Sequence, residues 1–375
     1  MKAVFDRAAL ASEFLLVGGY APTRSPKEVL QNVKLTATGS KVVMEATNEM
    51  TGIKSEIPAD VEVEGSVLLP VQRVSSILRE SSCSDITIEV IDSSVVIKGK
   101  GSKFKFPTVD SAGFPSPEPV KSEARCELAG AATVDAFNRV LYAASKGEHG
   151  RYALSGVKIE LDDSQGKARN HLTMIATDGR RLALQEVNVL EHSGSFGDSL
   201  VINQNAAKLL ARSIVPDSVV EFRADHRMAQ FTFGHRSIYT RLIEGVFPPW
   251  EKIVPDTDGY SSVKLDPSGF IQAVRQAGVV TDQESKALSV KIGGSNMITI
   301  EAKTADIGAS NVEHVVEYTG DPAEFIVDYK YLLDAAKAAS GADFLILRFS
   351  GESNPVVIVD DQETYLSLIM PMASN

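Results

Sequence analysis

The stretch VDAFNRVLYAAS, Val134–Ser145, decides how this chain is read: Phe137, Val140, Leu141 and Ala144 recur at i, i+3, i+4 and i+7 and share one face of an amphipathic helix. Downstream, Gly156–Leu161 and Leu172–Ala176 alternate apolar and polar residues, the period of half-buried strands. A second helical stretch, Gln204–Ile214, comes next, then short strands at Ser218–Arg223 and Gln230–Phe233, and last a strand running into proline, Ser237–Pro248. This order is written twice more. Upstream it reads as helix Phe5–Val17, strands Val33–Thr38 and Lys41–Ala46, helix Pro70–Glu80, strands Asp85–Ile91 and Ser94–Gly99, and closing strand Lys103–Pro107. Towards the C-terminus it reads as helix Pro267–Gly278, strands Leu288–Ile292 and Met297–Ala302, helix Tyr329–Ser340, strands Phe344–Ser350 and Pro355–Val359, and closing strand Thr364–Pro371. The fold class is therefore α+β, with one unit of two helices on antiparallel sheet repeated three times. Segments rich in Pro, Ser and Gly at Ser111–Ser122 and Pro255–Ser262 place the breaks, giving expected domains 1–120, 121–255 and 256–375.

The totals limit what such a chain does. With 375 residues, 43% hydrophobic and 23% charged, it has material for several packed cores. No run of about 18 apolar residues occurs, and Met1–Leu16 mixes Lys2, Asp6, Arg7 and Glu13 into its apolar positions, so a soluble cytoplasmic protein with no membrane partner is expected. Cys83 and Cys126 stand alone, without the spacing of a zinc site or a redox pair. The net charge of −11 opposes a surface that is basic all over, so any nucleic-acid contact must be confined to one face.

No catalytic constellation is present. The chain lacks GxxxxGK[ST], HExxH and GxSxG, and Gly99 with Gly101 lacks the third glycine and following helix of a dinucleotide loop. Its six histidines form no i, i+4 metal pair, and Asp162-Asp163 and Asp360-Asp361 read as hairpin turns. Neither catalytic residues, nor a metal, nor a cofactor is expected.

Several blocks carry a resemblance. They are IATDGRRLAL (Ile175–Leu184), RYALSGVKIEL (Arg151–Leu161), RLIEGVFPPWEKIVP (Arg241–Pro255), YLSLIMPM (Tyr365–Met372) and SKFKFPTVDSAGFP (Ser102–Pro115). In order and spacing, across nearly the whole chain, they resemble the bacterial sliding clamp family, the beta subunit of DNA polymerase III. The resemblance implies three clamp domains, a head-to-tail homodimer forming a ring, helices lining the hole and sheet outside. Such a ring encircles double-stranded DNA without sequence preference and serves as a processivity factor in replication, with no catalysis of its own. It also implies partners: DNA polymerase III alpha and other polymerases, a clamp loader, and mismatch-repair and ligase-type proteins that dock through a short peptide motif.

Carried over residue by residue, the resemblance implies a peptide groove of Leu154, Thr177, Gly179, Arg180, Arg181, Leu182, Pro248, Lys252 and Ile253, completed by Tyr331, Leu368, Ile369, Met370, Pro371 and Met372. Leu, Ile and Met make an adaptable apolar pocket, and Thr177 and Arg181 are expected to orient the peptide. The same block also reads as a plain turn at Asp178-Gly179 with Leu182 in the core. DNA-facing residues are expected at Arg24, Arg151 and Tyr152 in loops and at Arg73, Arg79, Arg139, Lys146, Lys208, Arg212, Arg275 and Lys337 on or beside the helices. The proposed helices carry more basic than acidic side chains, opposite in sign to the whole chain. The dimer seam is expected between Phe104 and Phe106 on one protomer and Val279 and Val280 on the other.

The sequence departs from the family pattern at its tail, Met372-Ala373-Ser374-Asn375, where clamps commonly end in Met-Pro-Met-Arg-Leu, and at the less basic Pro249–Lys252. The alternative readings are a clamp paralogue dedicated to repair and a repeat-built enzyme with its site at a domain junction.

Overall fold

In the computed structural model, residues 1–107, 109–147, 153–161, 171–197, 200–282, 284, 286–293, 296–305 and 307–373 are described. Six α-helices occur among them: α1 (Arg7–Gly18), α2 (Val71–Glu80), α3 (Gly130–Val140), α4 (Gln204–Ser213), α5 (Pro267–Ala277) and α6 (Tyr329–Ala338). None is long and apolar enough to cross a membrane. Helix starts differ from the periodicity by a few residues, for local reasons. Phe5, expected in the first helix, belongs to the strand Lys2–Asp6, where it faces Ile86, and Asp6 caps α1 by accepting from the Ala9 amide at 2.7 Å. Helix α3 begins at Gly130, ahead of the apolar stripe, and tightens into a 3-10 turn at Leu141–Ala143.

Contacts divide the chain into two compact units that cut across the repeat: residues 1–131, 189–197 and 209–242 in the first, and 132–188, 198–208 and 243–375 in the second. Strand pairing between successive repeats is the cause. In the first unit, Thr51–Pro58 pairs antiparallel with Arg236–Arg241, Ile53 facing Ile238, so one sheet runs from the first repeat into the second. In the second unit, Arg181–Gln185 pairs antiparallel with Tyr365–Ile369, joining the second repeat to the third.

The first unit also holds a five-stranded antiparallel sheet in the order Asp60–Val63, Lys2–Asp6, Asp85–Ile91, Ser94–Gly99, Ser102–Pro107. Helices α1 and α2 pack together, burying Leu10, Phe14, Val17, Val74 and Leu78. A bidentate ion pair ties the two repeats: Arg236 donates through Nε and Nη2 to Glu13 at 2.8 and 2.6 Å, and Ser55 Oγ donates to the same carboxylate at 2.5 Å. Burial alone would raise the Glu13 pKa, but the bonds from Arg236 and Ser55 outweigh it and hold the carboxyl below its ordinary value.

In the second unit, Gly308–Val315, Met297–Thr304, Ala287–Ile292 and Ala323–Asp328 form a four-stranded sheet in that order, against which α5 packs beside α6. Strands Lys2–Asp6, Thr51–Pro58, Gly65–Pro70, Arg125–Ala129, Leu200–Asn203, Ser261–Leu265, Gly308–Val315 and Ala323–Asp328 went unread in the sequence. The expected strand Ser237–Pro248 ends at Arg241, after which the chain leaves the sheet and makes a 3-10 turn at Trp250–Lys252.

Candidate functional site

Strand alternation builds the site in the second unit. Leu182 lies opposite Leu368 across the Arg181–Gln185 and Tyr365–Ile369 pair, so both point to one face. There they join Ala153, Ile175, Leu184, Val201 and Phe247 in a buried cluster rimmed by the part-exposed Ile243, Trp250, Val254 and Leu366. Trp250 is fixed on this rim by Nε1 donating to Glu160 Oε2 at 3.1 Å. Met370, two residues past Leu368, is 41% exposed, and Ile253, next to Val254, is exposed as well. Pro248, Pro371 and Met372 are half-buried and Lys252 is exposed. The tail is held in place, Met370 N donating to Arg180 O at 2.9 Å and Met372 N to Ile326 O at 2.7 Å.

The turn beside this surface is over-determined. Gly179 takes φ +87°, which suits glycine. Thr177 Oγ1 donates to Arg181 O at 2.6 Å and accepts from Gly179 N at 3.1 Å, while Asp178 Oδ1 accepts from the amides of Arg180 and Arg181. The Arg181 side chain, 9% exposed, donates from Nε to Asp178 at 3.0 Å, from Nη1 to Asp334 at 2.9 Å and from Nη2 to Tyr142 O at 2.5 Å. Its guanidinium carbon lies over the rings of Tyr331 at 4.4 Å and Tyr142 at 5.1 Å. Burial works against this charge, but the bond to Asp334 and the nearby carboxylates win and raise the Arg181 pKa further. Burial pushes the Tyr142 phenol up to about 12, and its hydroxyl bonds to Tyr365 and Ser367 at 2.8 and 2.7 Å.

This arrangement sets the surroundings of the residues expected in the groove and corrects one of them, Ile369. Thr177 and Arg181, expected to orient a peptide, have their polar atoms bonded within the turn and to α6; Arg180, exposed beside them, has no carboxylate on its guanidinium among the described residues. Ile369 is fully buried and alternates away from Leu368, so it belongs to the opposite face. Leu154 is buried, and its carbonyl accepts from Ser145 N at 2.9 Å. The sequence reading missed Tyr142, Asp334 and Trp250. An arginine within an apolar strand run was the available signal, because a buried guanidinium requires carboxylate partners.

Of the residues expected to face DNA, Arg24, Arg73, Arg79, Lys146, Lys208, Arg212, Arg275 and Lys337 are exposed. Arg139 has a different role: its Nη1 pairs with Asp360 at 2.9 Å and its Nε lies 2.7 Å from Asp135, with the ring of Tyr365 beneath it. Asp360 in turn accepts from the amides of Thr364 and Tyr365, which makes it a structural anchor. Arg151, Tyr152 and the Asp162-Asp163 pair lie outside the described residues. At the expected seam, Ser102–Pro107 is a sheet edge with Phe104 39% exposed, whereas Phe106 packs into its own protomer at 9%. Val279 is 77% exposed and Val280 half-buried, and the edge strand Gly308–Val315 displays Val315, a residue the sequence reading did not single out.

Residues 1–118, 128–249 and 252–373 match, in turn, the N-terminal, central and C-terminal domains of the DNA polymerase III beta subunit. The chain belongs to that family. Its three repeats are three clamp domains of mixed helix and antiparallel sheet, and the family is one of processivity subunits without catalysis of their own. A beta sliding clamp of Caulobacter vibrioides is 26% identical, over 99% of this chain and 100% of its own length. Among solved structures, a Pseudomonas aeruginosa sliding clamp bound to griselimycin superposes with a TM-score of 0.91 at 21% identity, covering 100% of both chains. A Helicobacter pylori beta clamp bound to a DNA ligase peptide gives 0.88 at 20% identity, again over 100% of both chains. The clamp fold was thus read correctly from the repeat and its motifs.

Proposed function

We propose that this chain works as a homodimeric ring that encircles duplex DNA in the cytoplasm and holds polymerases, a clamp loader and repair enzymes to it through short peptides, with no chemistry of its own. The observation that carries the partner site is the buried cluster of Leu182 and Leu368 with part-exposed Ile243, Trp250, Val254 and Leu366 packed on it and exposed Met370 and Ile253 adjoining its members along the chain, beside a turn locked by Arg181. A rigid wall and a soft methionine rim suit a site that accepts many related peptides. The related clamp crystallised with a ligase peptide supports the same class of ligand. Two exposed sheet edges, Ser102–Pro107 and Gly308–Val315, offer unpaired backbone that a second copy can complete. Exposed arginines and lysines on the helices supply contacts that are individually weak and salt-sensitive, enough for sliding once the ring is closed.

Loading onto nicked circular DNA by a bacterial clamp loader, followed by gel filtration, tests the ring. The protein is expected to stay with circles and to be released when they are linearised. Equal retention on linear and circular DNA would refute a topological link.

A further inference from the structure

Beside the apolar surface lies a cavity of about 520 Å³ with Lys146, Arg180, Lys286 and Lys330 in its wall. A second cavity of about 420 Å³ shares Arg180, Lys286, Asp328 and Tyr331 with it and opens onto Met370, Pro371 and Met372. Together they form one trough with a methionine end and an ammonium end. Three of its carboxylates are engaged, Asp178 and Asp334 holding Arg181 and Asp328 capping α6 by accepting from Lys330 N at 2.8 Å, and a fourth, Glu284, lines the methionine end but not the ammonium end. None of the four cations has a carboxylate within ion-pair distance among the described residues. Lys286 stands in the left-handed region at φ 52°, held by Lys286 N donating to Asp282 O and by Tyr329 N donating to Lys286 O, each at 3.0 Å.

We propose that the ammonium end of this trough is an anion subsite for an acidic side chain flanking the apolar anchors of a partner peptide. The inference rests on the groove reading and adds a selectivity to it. Continuity with Met370 and Met372 favours a peptide, since apolar anchors and a carboxylate then lie on one short strand. The three aspartates in the wall of the ammonium end, with Glu284 at the methionine end, leave only a modest positive excess, which suits one or two carboxylates and disfavours a nucleic-acid backbone carrying a charge at every nucleotide.

The test uses the full-length protein and two fluorescent synthetic peptides with the same Leu and Phe anchors, one flanked by an Asp pair and one by an Asn pair, read by anisotropy. At low salt the Asp peptide is expected to bind roughly three- to tenfold more tightly, the range for one or two solvent-facing ion pairs, and high salt should erase the difference. The double variant Lys286→Asn with Lys330→Gln should lose the preference while binding the Asn peptide as before, because asparagine tolerates the left-handed backbone. Equal affinity of the two peptides, or a preference that survives the double variant, would overturn the subsite. So would a short single-stranded oligonucleotide that displaces the Asp peptide but not the Asn peptide, since the cations would then serve phosphate. Failure of both peptides to bind would instead overturn the groove reading on which the subsite rests.

Discussion

Replacing Arg181 with Met separates two roles open to the same residue. If Arg181 builds the wall, the loss falls on stability; if it grips a peptide, the loss falls on binding alone. Met keeps much of the stem volume but leaves Asp178 and Asp334 without their cation and removes the stack on Tyr142 and Tyr331. Removing one partner of a buried ion pair costs about 3–5 kcal/mol. The Asp334 side chain is 37% exposed and can rehydrate, which places the expected cost near the lower end, about 3 kcal/mol. The chain has a single tryptophan, Trp250, and it sits on the rim of the affected cluster, so its fluorescence reports urea unfolding of this unit directly. Combining Arg181→Met with Asp334→Asn should return a coupling of roughly 1–3 kcal/mol in a double-mutant cycle. A destabilisation under about 0.5 kcal/mol together with lost peptide affinity would refute the structural role, since that is the range of an ordinary surface change.

Other consequences follow from burial and charge. Phe104→Glu should yield monomers by light scattering with unchanged far-UV circular dichroism, whereas Phe106→Glu confounds the test by opening the protomer's own core; dimers persisting in the Phe104→Glu variant would place the seam elsewhere. Met370→Ala, exposed at the groove rim, should weaken partner peptides by roughly fivefold, about 1 kcal/mol, without moving the Trp250 unfolding midpoint, and unchanged affinity would remove Met370 from the site. Glu13 has a folded pKa below its ordinary value of 4.5, so its stabilisation is complete above that pH and is lost as pH falls through the lowered folded value. Glu13→Gln should therefore be less stable near neutrality and show a shallower acid loss below about 4.5; parallel pH profiles for the two proteins would contradict the assignment.

The helices were legible because each must bury a stripe at 3.6-residue spacing, as Phe137, Val140 and Leu141 do. Strands were read where the run is plainly apolar, as at Val95, Val96 and Ile97 of Ser94–Gly99, and missed where apolar residues are diluted. Gly308–Val315 is a sheet edge with polar residues at half of its positions, and Lys2–Asp6 is only five residues long. In the apolar cluster, Leu182 and Leu368 come from the GRRLAL and YLSLIMPM blocks, but the orientation of their neighbours was not legible there. Ile369 and Leu368 differ only in which side of the strand they occupy, and that is set by pairing with Leu182, a long-range fact. The role of Arg181 was hidden for the same reason, because Asp334 and Tyr142 reach it from distant parts of the chain.

Arginine is used here in two opposed ways, and the contrast explains how an acidic chain can work on DNA. Arg139, Arg181 and Arg236 are largely enclosed and each holds at least one carboxylate, because an enclosed charge without a partner costs several kcal/mol. Those pairs consume acidic residues of the helices, Glu13, Asp135 and Asp334 among them, that would otherwise offset the exposed cations. Arg24, Arg73, Arg79, Arg212 and Arg275 stay in water and keep their hydration. A hydrated cation exchanges water for phosphate at little net gain, so such contacts form and break readily and fade as salt rises. Tight binding would come from desolvated, bidentate arginines, and those are the ones this chain has committed to its own carboxylates. What is left exposed can guide a duplex without arresting it, which is what a clamp held by closure requires.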